Sequence, residues 1–373
     1  MKRIFCAAAL CATFGAAACA YYTPRNPHYH EGDGKKSAVA EKSAKNDAAQ
    51  SPEKVSAESA KDVLGPGAWT PAARTAIDGL IAAEGFSSKG YDARKPPVAV
   101  LSWEGVFFVH DAAAEVFDQM VLSARFKITP EFWRIIPVAY GRQKIFAAYQ
   151  QFSILPQSIW EDEPAYLQFR KYFVQSYQNQ CEDESWSACR AFLAQLFAGF
   201  TPEEARHYAA TVINAQLERP LGAGIFAAGP EDRSPARVEE GLRVVPEVSG
   251  LVAALLQAGF DVWVVDQDPQ PVLEAATAPA GVPASRVVGI RVKAVKGVMT
   301  GDIDGDVPAR GAKTAAVVAA LGRAPDLVVG ASSDDAALLG YGKGVRVLID
   351  HGDKKLDAKA RKKGWIVQPA FGR

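Results

Sequence analysis

The sequence predicts an α/β protein, a doubly wound parallel sheet with an inserted all-helical domain. Short apolar strands alternate with helices over the last third of the chain, which is typical of a parallel sheet covered on both faces. One more apolar, β-branched run, Pro97–Leu101, lies far upstream and predicts a buried strand. The stretch between them has helical periodicity and many aromatic residues. We therefore assign residues 68–111 and 236–373 to the α/β domain and residues 112–235 to the helical insertion.

The elements of the α/β domain follow in a regular order. The predicted strands are residues 260–265, 287–292, 326–329, 345–349 and 365–367, and the predicted helices include residues 248–258 and 314–321. Inside the insertion, Thr201 predicts a helix start, because a proline and two glutamates follow it directly. Ligands of such sheets bind outside the carboxyl ends of the strands. The residues directly after each strand are therefore the candidates for a functional site.

Composition excludes some classes of protein. The 373 residues are 49% hydrophobic and 23% charged, a balance that can support a large core. Lys+Arg and Asp+Glu both number 42, so there is no basic surplus for a nucleic-acid partner. Five His and five Cys are too few for a metal-rich protein.

The N-terminal 62 residues are predicted to lie outside the fold. Residues 1–20 have a basic start and an apolar run, which indicates a signal peptide. Residues 21–62 are rich in Ala, Lys, Ser, Glu and Pro without an apolar period, and this predicts a disordered tether. The segment Ala18-Cys19-Ala20 fits ordinary signal cleavage, whereas Ala16–Cys19 resembles a bacterial lipoprotein box in which Cys19 is lipidated. Both alternatives predict an exported protein, either periplasmic or anchored to a membrane surface.

Two cysteines, Cys181 and Cys189, remain in the folded part once the signal segment is set aside. Disulfides form in exported proteins, and these two residues lie close together in the sequence. We predict a Cys181–Cys189 disulfide that stabilises the insertion locally.

Four groups of polar residues follow or precede the predicted strands. Ser102-Trp-Glu104 follows the first strand, Asp266-Gln-Asp268 follows the second, and Lys313 begins the helix before a later strand, which Gly330–Asp335 follows. This order resembles the haloacid dehalogenase (HAD) superfamily of phosphohydrolases, and exported proteins related to phosphoserine and phosphorylcholine phosphatases in particular. Residues 91–118 and 242–275 carry the resemblance, which covers residues 68–373. It implies that the helical insertion is the cap domain of that superfamily.

The resemblance assigns roles to positions whose residues here depart from the superfamily pattern. The superfamily's nucleophilic Asp and its acid/base Asp correspond to Ser102 and Glu104, and its phosphate-binding Ser or Thr corresponds to Asp266. Its Lys is retained as Lys313. Of the two Asp residues in its fourth motif, the first is replaced by Ala331 and the second matches Asp335, the one candidate ligand left there for Mg²⁺.

These departures predict a disabled site. A serine hydroxyl needs an adjacent base, and Glu104 is the nearest candidate. Replacing two carboxylates by Ser102 and Ala331 removes oxygen ligands that Mg²⁺ requires. The Asp266 carboxylate adds a negative charge where phosphoryl oxygens would lie; like charges at about 4 Å cost about 4 kcal/mol at an effective dielectric constant of about 20. Lys313 is expected to neutralise Asp266 instead of a substrate.

Two hypotheses follow for function. In the first, an exported HAD-fold protein is catalytically disabled and retained for ligand binding or a structural role, without a cofactor. In the second, it is an active Mg²⁺-dependent phosphatase that acts on a small phosphomonoester through a displaced carboxylate pair, Asp266 and Asp268. A small phosphorylated or choline-like molecule is the candidate ligand in either case. The aromatic residues of the insertion either form a cage for a quaternary ammonium group or simply pack as a core.

Two further motifs are open to two interpretations each. The segment 302–306 begins like a calcium-binding loop, but Val307 stands where the required glycine should be, so we predict a polar hairpin turn. His110 and Asp111, soon after the first strand, either line the crevice or make structural hydrogen bonds.

Overall fold

The computed structural model describes residues 64–372, and its centre is a parallel sheet of six strands. The strands are β1 (Val98–Leu101), β2 (Phe108–Val109), β3 (Gly222–Phe226), β4 (Ala236–Glu240), β5 (Arg243–Val244), β6 (Asp261–Pro269), β7 (Val287–Ile290), β8 (Val292–Val295), β9 (Val298–Ile303), β10 (Leu327–Gly330), β11 (Val345–Asp350) and β12 (Ile366–Pro369). The α-helices are α1 (Pro71–Glu84), α2 (Ala112–Leu122), α3 (Phe132–Ile135), α4 (Arg142–Phe152), α5 (Pro164–Asp183), α6 (Trp186–Gln195), α7 (Pro202–Glu218), α8 (Pro246–Gln257), α9 (Gln270–Thr277), α10 (Arg310–Leu321), α11 (Ala336–Tyr341) and α12 (Lys354–Lys363). The predicted signal peptide, the tether and Cys19 lie outside the described residues.

The order of the main sheet is β12-β11-β10-β1-β6-β7, and every neighbouring pair is parallel. Strand β1 lies inside the sheet, and all four of its residues are buried because helices or the insertion cover both faces. This explains why its sequence is apolar without alternation. The predicted doubly wound parallel sheet is confirmed.

Strand β6 is longer than predicted. The apolar run ends at Val265, but extended backbone continues to Pro269, and the register with β7 shifts between Val265 and Pro269. Asp266 and Asp268 therefore lie within the last part of β6, not after it, which corrects our prediction. Strand length could not be read from hydrophobicity here because these polar residues are themselves buried.

Helices α2 to α7 lie between β1 and β6 along the chain, and Thr201 caps α7 in a complete capping box with Glu204. Two antiparallel ribbons accompany the helices. Strand β2, which precedes the insertion, pairs with β5, which follows it, so the two connections between the insertion and the α/β domain lie next to each other. Strand β3 pairs with β4 in a hairpin. The insertion is thus mainly helical, with β3 at its C-terminal end.

The aromatic residues of the insertion form a packed core. Phe173 contacts Phe117 and Phe169 with ring centroids 5.7 and 5.5 Å apart, and all three rings are buried. The same hydrophobic cluster reaches Leu101 and Val264 of the sheet. The insertion therefore packs against the sheet through apolar contacts, and these aromatic rings serve as core.

The prediction of a hairpin turn at residues 302–306 was wrong. The turn that joins β8 to β9 lies at Lys296 and Gly297, which both have positive φ, at 51° and 81°. Asp302 is instead part of β9. A two-residue turn needs this left-handed backbone, and glycine supplies it without strain.

No helix within residues 64–372 is long and apolar enough to cross a membrane.

A disulfide joins Cys181 at the end of α5 to Cys189 in α6. Replacing both cysteines by serine should lower the free energy of unfolding by about 2 kcal/mol, because the unfolded chain is no longer restricted by a short closed loop and gains conformational entropy. Urea denaturation followed by far-UV circular dichroism measures the difference. Under reducing conditions the wild type should match the variant, and a wild type that keeps its full stability there would contradict the prediction.

Candidate ligand site

A cleft of about 1370 Å³ opens at the carboxyl ends of the sheet strands, with the helical insertion forming one wall. Ser102, Glu104 and Asp266 lie at its base, on the loop after β1 and at the end of β6. His110 and Asp111 also line it. Both also make structural contacts, because His110 Nδ1 lies 3.0 Å from the Gly241 carbonyl oxygen and Asp111 caps α2.

The Asp266 carboxylate lies in a nest of hydrogen-bond donors. Its Oδ2 accepts hydrogen bonds from Ser102 Oγ at 2.9 Å and from the backbone N–H groups of Trp103 and Glu104 at 2.5 and 2.8 Å. Its Oδ1 accepts from the N–H of Gln267 at 2.8 Å and from Lys313 Nζ at 3.1 Å.

The nest keeps Asp266 ionised. Burial acts to raise the pKa of this carboxyl, but Lys313 and the three N–H groups outweigh burial and hold its pKa below the ordinary value. The loop after β1 therefore presents its N–H groups to an anion that belongs to the protein itself.

Lys313 lies in the first turns of α10 and is buried beneath the cleft. Its Nζ donates to Asp335 Oδ1 at 2.6 Å, to Ser102 Oγ at 3.0 Å and to Asp266. Burial acts to lower the pKa of this ammonium, yet the two carboxylates raise it above its usual value. All three N–H donors of Lys313 are used, as expected for its pairing with Asp266.

Asp335 has both carboxylate oxygens engaged. Oδ1 accepts from Lys313, and Oδ2 accepts from the N–H groups of Ala331 at 2.8 Å and Ser332 at 3.0 Å. No group of three or more His, Cys, Asp or Glu side chains within residues 64–372 is arranged to hold a metal ion. The residues present therefore do not fit the Mg²⁺ that the resemblance implies, since that hard cation needs several free oxygen ligands.

Arg190 of α6 is fully buried and gathers acidic side chains around it. Its Nη1 lies 2.7 Å from Asp111 Oδ2, and its Nη2 lies 2.8 Å from Asp268 Oδ1 and 3.3 Å from Glu104 Oε2. Burial acts to lower the pKa of this guanidinium, but the surrounding carboxylates raise it. Sequence reasoning missed Arg190, although a lone arginine among the apolar residues of a helix was a usable signal of a buried charge.

Glu104 contacts both the Asp266 nest, through its backbone N–H, and Arg190, through its side chain. Burial raises the pKa of this carboxyl to about 7, with smaller contributions from Asp111 and Asp266, while Arg190 opposes the rise. Glu104 Oε2 also accepts a hydrogen bond from Trp186 Nε1 at 3.1 Å. Glu104 therefore titrates near neutrality but is held toward the insertion.

Gln267 connects the sheet edge to the insertion. Its Nε2 donates to Asp334 Oδ2 at 2.7 Å, and its Oε1 accepts from Ser187 Oγ at 2.8 Å. Nothing in the sequence indicated this link, because Ser187 lies in a helix far from Gln267 along the chain.

Two more acidic residues, Glu115 and Asp118, project from α2 into the cleft, one helical turn apart. Both are buried, and burial is the main cause that raises the pKa of Glu115 to about 8 and the pKa of Asp118 well above its usual value. Sequence reasoning missed both residues, although acids on the apolar face of a helix are an available signal.

The Glu115 carboxyl should make stability depend on pH. Its pKa rises on folding, so wild-type stability is full below about pH 4.5 and falls as pH rises toward 8. We expect Glu115→Gln to raise the free energy of unfolding by about 1–2 kcal/mol at alkaline pH and to have little effect at acid pH. Urea denaturation at pH 5 and pH 9, with exposed Glu84→Gln as control, tests this; equal effects of Glu115→Gln at both pH values would contradict it.

No protein-family model and no curated protein sequence matches this chain. A conserved protein of unknown function from Anaerococcus prevotii has a similar solved structure, with a TM-score of 0.72 and 19% identity over 82% of this chain and 94% of that one. A protein of unknown function from Bordetella pertussis aligns at a TM-score of 0.46, with 14% identity over 74% of this chain and 98% of that one. A HAD family hydrolase from Salmonella enterica aligns at 0.36, with 9% identity over 67% and 61%.

The likeness to the Anaerococcus protein concerns the fold and carries no activity with it. In this chain, Ser102, Asp266 and Asp334 lie at one edge of the sheet, and the helical insertion forms one wall of the cleft above them. The chain therefore shares its α/β fold with the Anaerococcus protein.

Proposed function

We propose that this protein is an exported HAD-fold binding protein without phosphohydrolase activity, in which the Asp266 carboxylate occupies the position of a phosphoryl group. The observation that carries the proposal is the nest around Asp266, where two side chains and three backbone N–H groups already donate to one carboxylate. Oriented N–H groups and a lysine are what a phosphoryl group would need for binding. Here an internal anion uses them.

The chemistry of the neighbouring groups supports the same conclusion. Ser102 is buried, and its hydroxyl donates to Asp266 while accepting from Lys313. The low pKa of Asp266 makes it a weak base toward a serine hydroxyl. Lys313 is protonated and cannot act as a base, so no group in contact with Ser102 is suited to activating it.

Hydrolysis and anion binding can be measured separately. We expect wild type to release no p-nitrophenol from p-nitrophenyl phosphate above background, with or without Mg²⁺. Asp266→Ser removes the internal anion and leaves the donors free, so this variant should gain measurable binding of inorganic phosphate. Glu239→Gln, a change in the same cleft but on strand β4, is the control and should gain none. Metal-dependent turnover by wild type that Asp266→Asn abolishes would overturn the proposal.

One observation favours the second candidate, an active phosphatase with rearranged residues. Glu104 has a pKa of about 7 at the base of the cleft, which is suitable for acid–base catalysis at neutral pH. The carboxylate pair that this candidate requires, Asp266 and Asp268, is less suited to catalysis. Asp268 is buried against Arg190, and the Asp266 carboxylate already accepts hydrogen bonds on both oxygens. The hydrolysis assay distinguishes this candidate from the binding protein.

Export is the part of the proposal that rests on the N-terminal sequence, with the Cys181–Cys189 disulfide in support. Lipidation of Cys19 would hold the protein at a membrane surface through residues 21–62. Cell fractionation of wild type and Cys19→Ser separates the two alternatives for cleavage. A lipoprotein should move from the membrane to the soluble fraction on this substitution, whereas an ordinary secreted protein should be soluble in both forms.

A further inference from the structure

The cleft is strongly acidic although the whole chain is neutral. The described residues that line it include eight acidic side chains, but Arg237 is the only Lys or Arg among them. The whole sequence, by contrast, has 42 residues of each sign. Such a concentration of one sign in a concave site raises the local concentration of ligands of the opposite sign.

Some of these acids have cationic partners within the protein. Glu104 and Asp111 pair with Arg190, Asp266 pairs with Lys313, and Asp334 lies 3.1 Å from Arg310. These contacts neutralise the acids at the base of the cleft, but not the acids on the wall formed by α2.

Glu115 and Asp118 lack such a partner within residues 64–372. Glu115 is 3% exposed, and its Oε1 has no hydrogen-bond partner. The cation that acts on the Glu115 carboxyl, Arg219, is itself paired with Glu240 at 3.2 Å. Asp118 is 7% exposed, and only like charges act on it. A buried carboxylate without a donor is costly, which is why burial raises the pKa of both carboxyls. An ammonium group that donates hydrogen bonds would relieve this cost and displace their protons.

We propose that the Glu115–Asp118 pair is the binding site for a small aliphatic amine, with its ammonium group donating to both carboxylates. The inference rests on the proposed binding function and names the class of ligand. Val174, Tyr177 and Val238 line the same cleft and offer apolar contact to a methylene chain. Glu182 and Glu239 also line the cleft and have no ion pair with a Lys or Arg of the described residues, which favours a ligand with more than one ammonium group.

Two other cationic ligands fit less well. The quaternary nitrogen of choline has no N–H, so choline can offer Glu115 Oε1 only its neutral hydroxyl and not a charged donor. We therefore replace the choline-like ligand suggested by the sequence with a hydrogen-bonding amine. A divalent metal is favoured by a cluster of side-chain ligands, and no group of three or more His, Cys, Asp or Glu side chains within residues 64–372 is arranged to hold one.

Isothermal titration calorimetry of the full-length protein with putrescine, and then with spermidine, tests the proposal. We expect saturable binding of both amines, binding of choline at least about tenfold weaker than that of putrescine, and amine affinity at least about tenfold weaker in Glu115→Gln and in Asp118→Asn than in wild type. Glu84→Gln, an exposed acid on α1, should bind like wild type. Thermal unfolding of each variant shows that it is folded.

Three results would overturn the inference: no heat of binding with either amine, equal affinity for choline, or unchanged affinity in both cleft variants. The failure of the proposed function would look different. Turnover of p-nitrophenyl phosphate would refute the non-catalytic role, whereas an inactive protein that ignores amines would refute only the amine site.

Discussion

Lys313→Met should lower the free energy of unfolding by about 3–5 kcal/mol, one of the two largest effects expected of a single substitution in this protein. Lys313 is 1% exposed and is the cation shared by Asp266 and Asp335, which are also buried. Methionine has a similar length and keeps the packing, so the loss reports the two carboxylates left without their counter-charge. Urea denaturation followed by circular dichroism measures it.

A second substitution identifies the cause of that loss. Lys313→Met combined with Asp266→Asn removes one of the two uncompensated charges, and we expect it to recover about 1–2 kcal/mol. Arg310→Met is the control, because the Arg310–Asp334 pair has an arginine side chain that is 80% exposed and should contribute less than about 1 kcal/mol. A Lys313→Met variant as stable as Arg310→Met would contradict the view that Asp266 is an internal anion held by Lys313.

The sequence was informative about the fold because the strands bury both faces. The apolar runs of β1, β6, β10 and β11 could be recognised without knowledge of their contacts, and the helices between strands indicate that the strands are parallel. The Asp266–Lys313 pair was also predictable, because both residues stand at positions that the motif order brings to one edge of the sheet. Local pattern and topology sufficed for these features.

Features that depend on distant contacts could not be predicted. Arg190 lies in a helix of the insertion, and nothing near it in the sequence identifies Asp111 and Asp268 as its partners. The end of β6 was missed because a polar strand end looks like a loop until its hydrogen bonds are known. Glu115 and Asp118 were missed because helical periodicity marks a buried face but does not show that a cleft meets it.

Arg190→Leu should lower the free energy of unfolding by about 3–5 kcal/mol, for a reason that also predicts how the loss changes with pH. Arg190 has no exposed surface and is the cation nearest to Asp111, Asp268 and Glu104. Its removal leaves three acids facing one another at the junction of the insertion and the sheet. Arg190→Lys keeps the charge but cannot reach all three acids from one ammonium, so an intermediate loss is expected.

The loss in Arg190→Leu should shrink as pH falls. Arg190 lowers the pKa of Glu104 and of Asp268, so these carboxyls should titrate at higher pH in the variant than in wild type. The folded variant then binds more protons than folded wild type near neutrality, and acidification stabilises it relative to wild type. Denaturation at pH 5 and pH 8 measures this, and Arg206→Leu, whose arginine is 46% exposed and pairs with Glu274, should show a small loss at both pH values. A loss in Arg190→Leu that is equal at pH 5 and pH 8 would assign the role of Arg190 to packing instead of charge, because only the electrostatic part of its contribution depends on the ionisation of its neighbours.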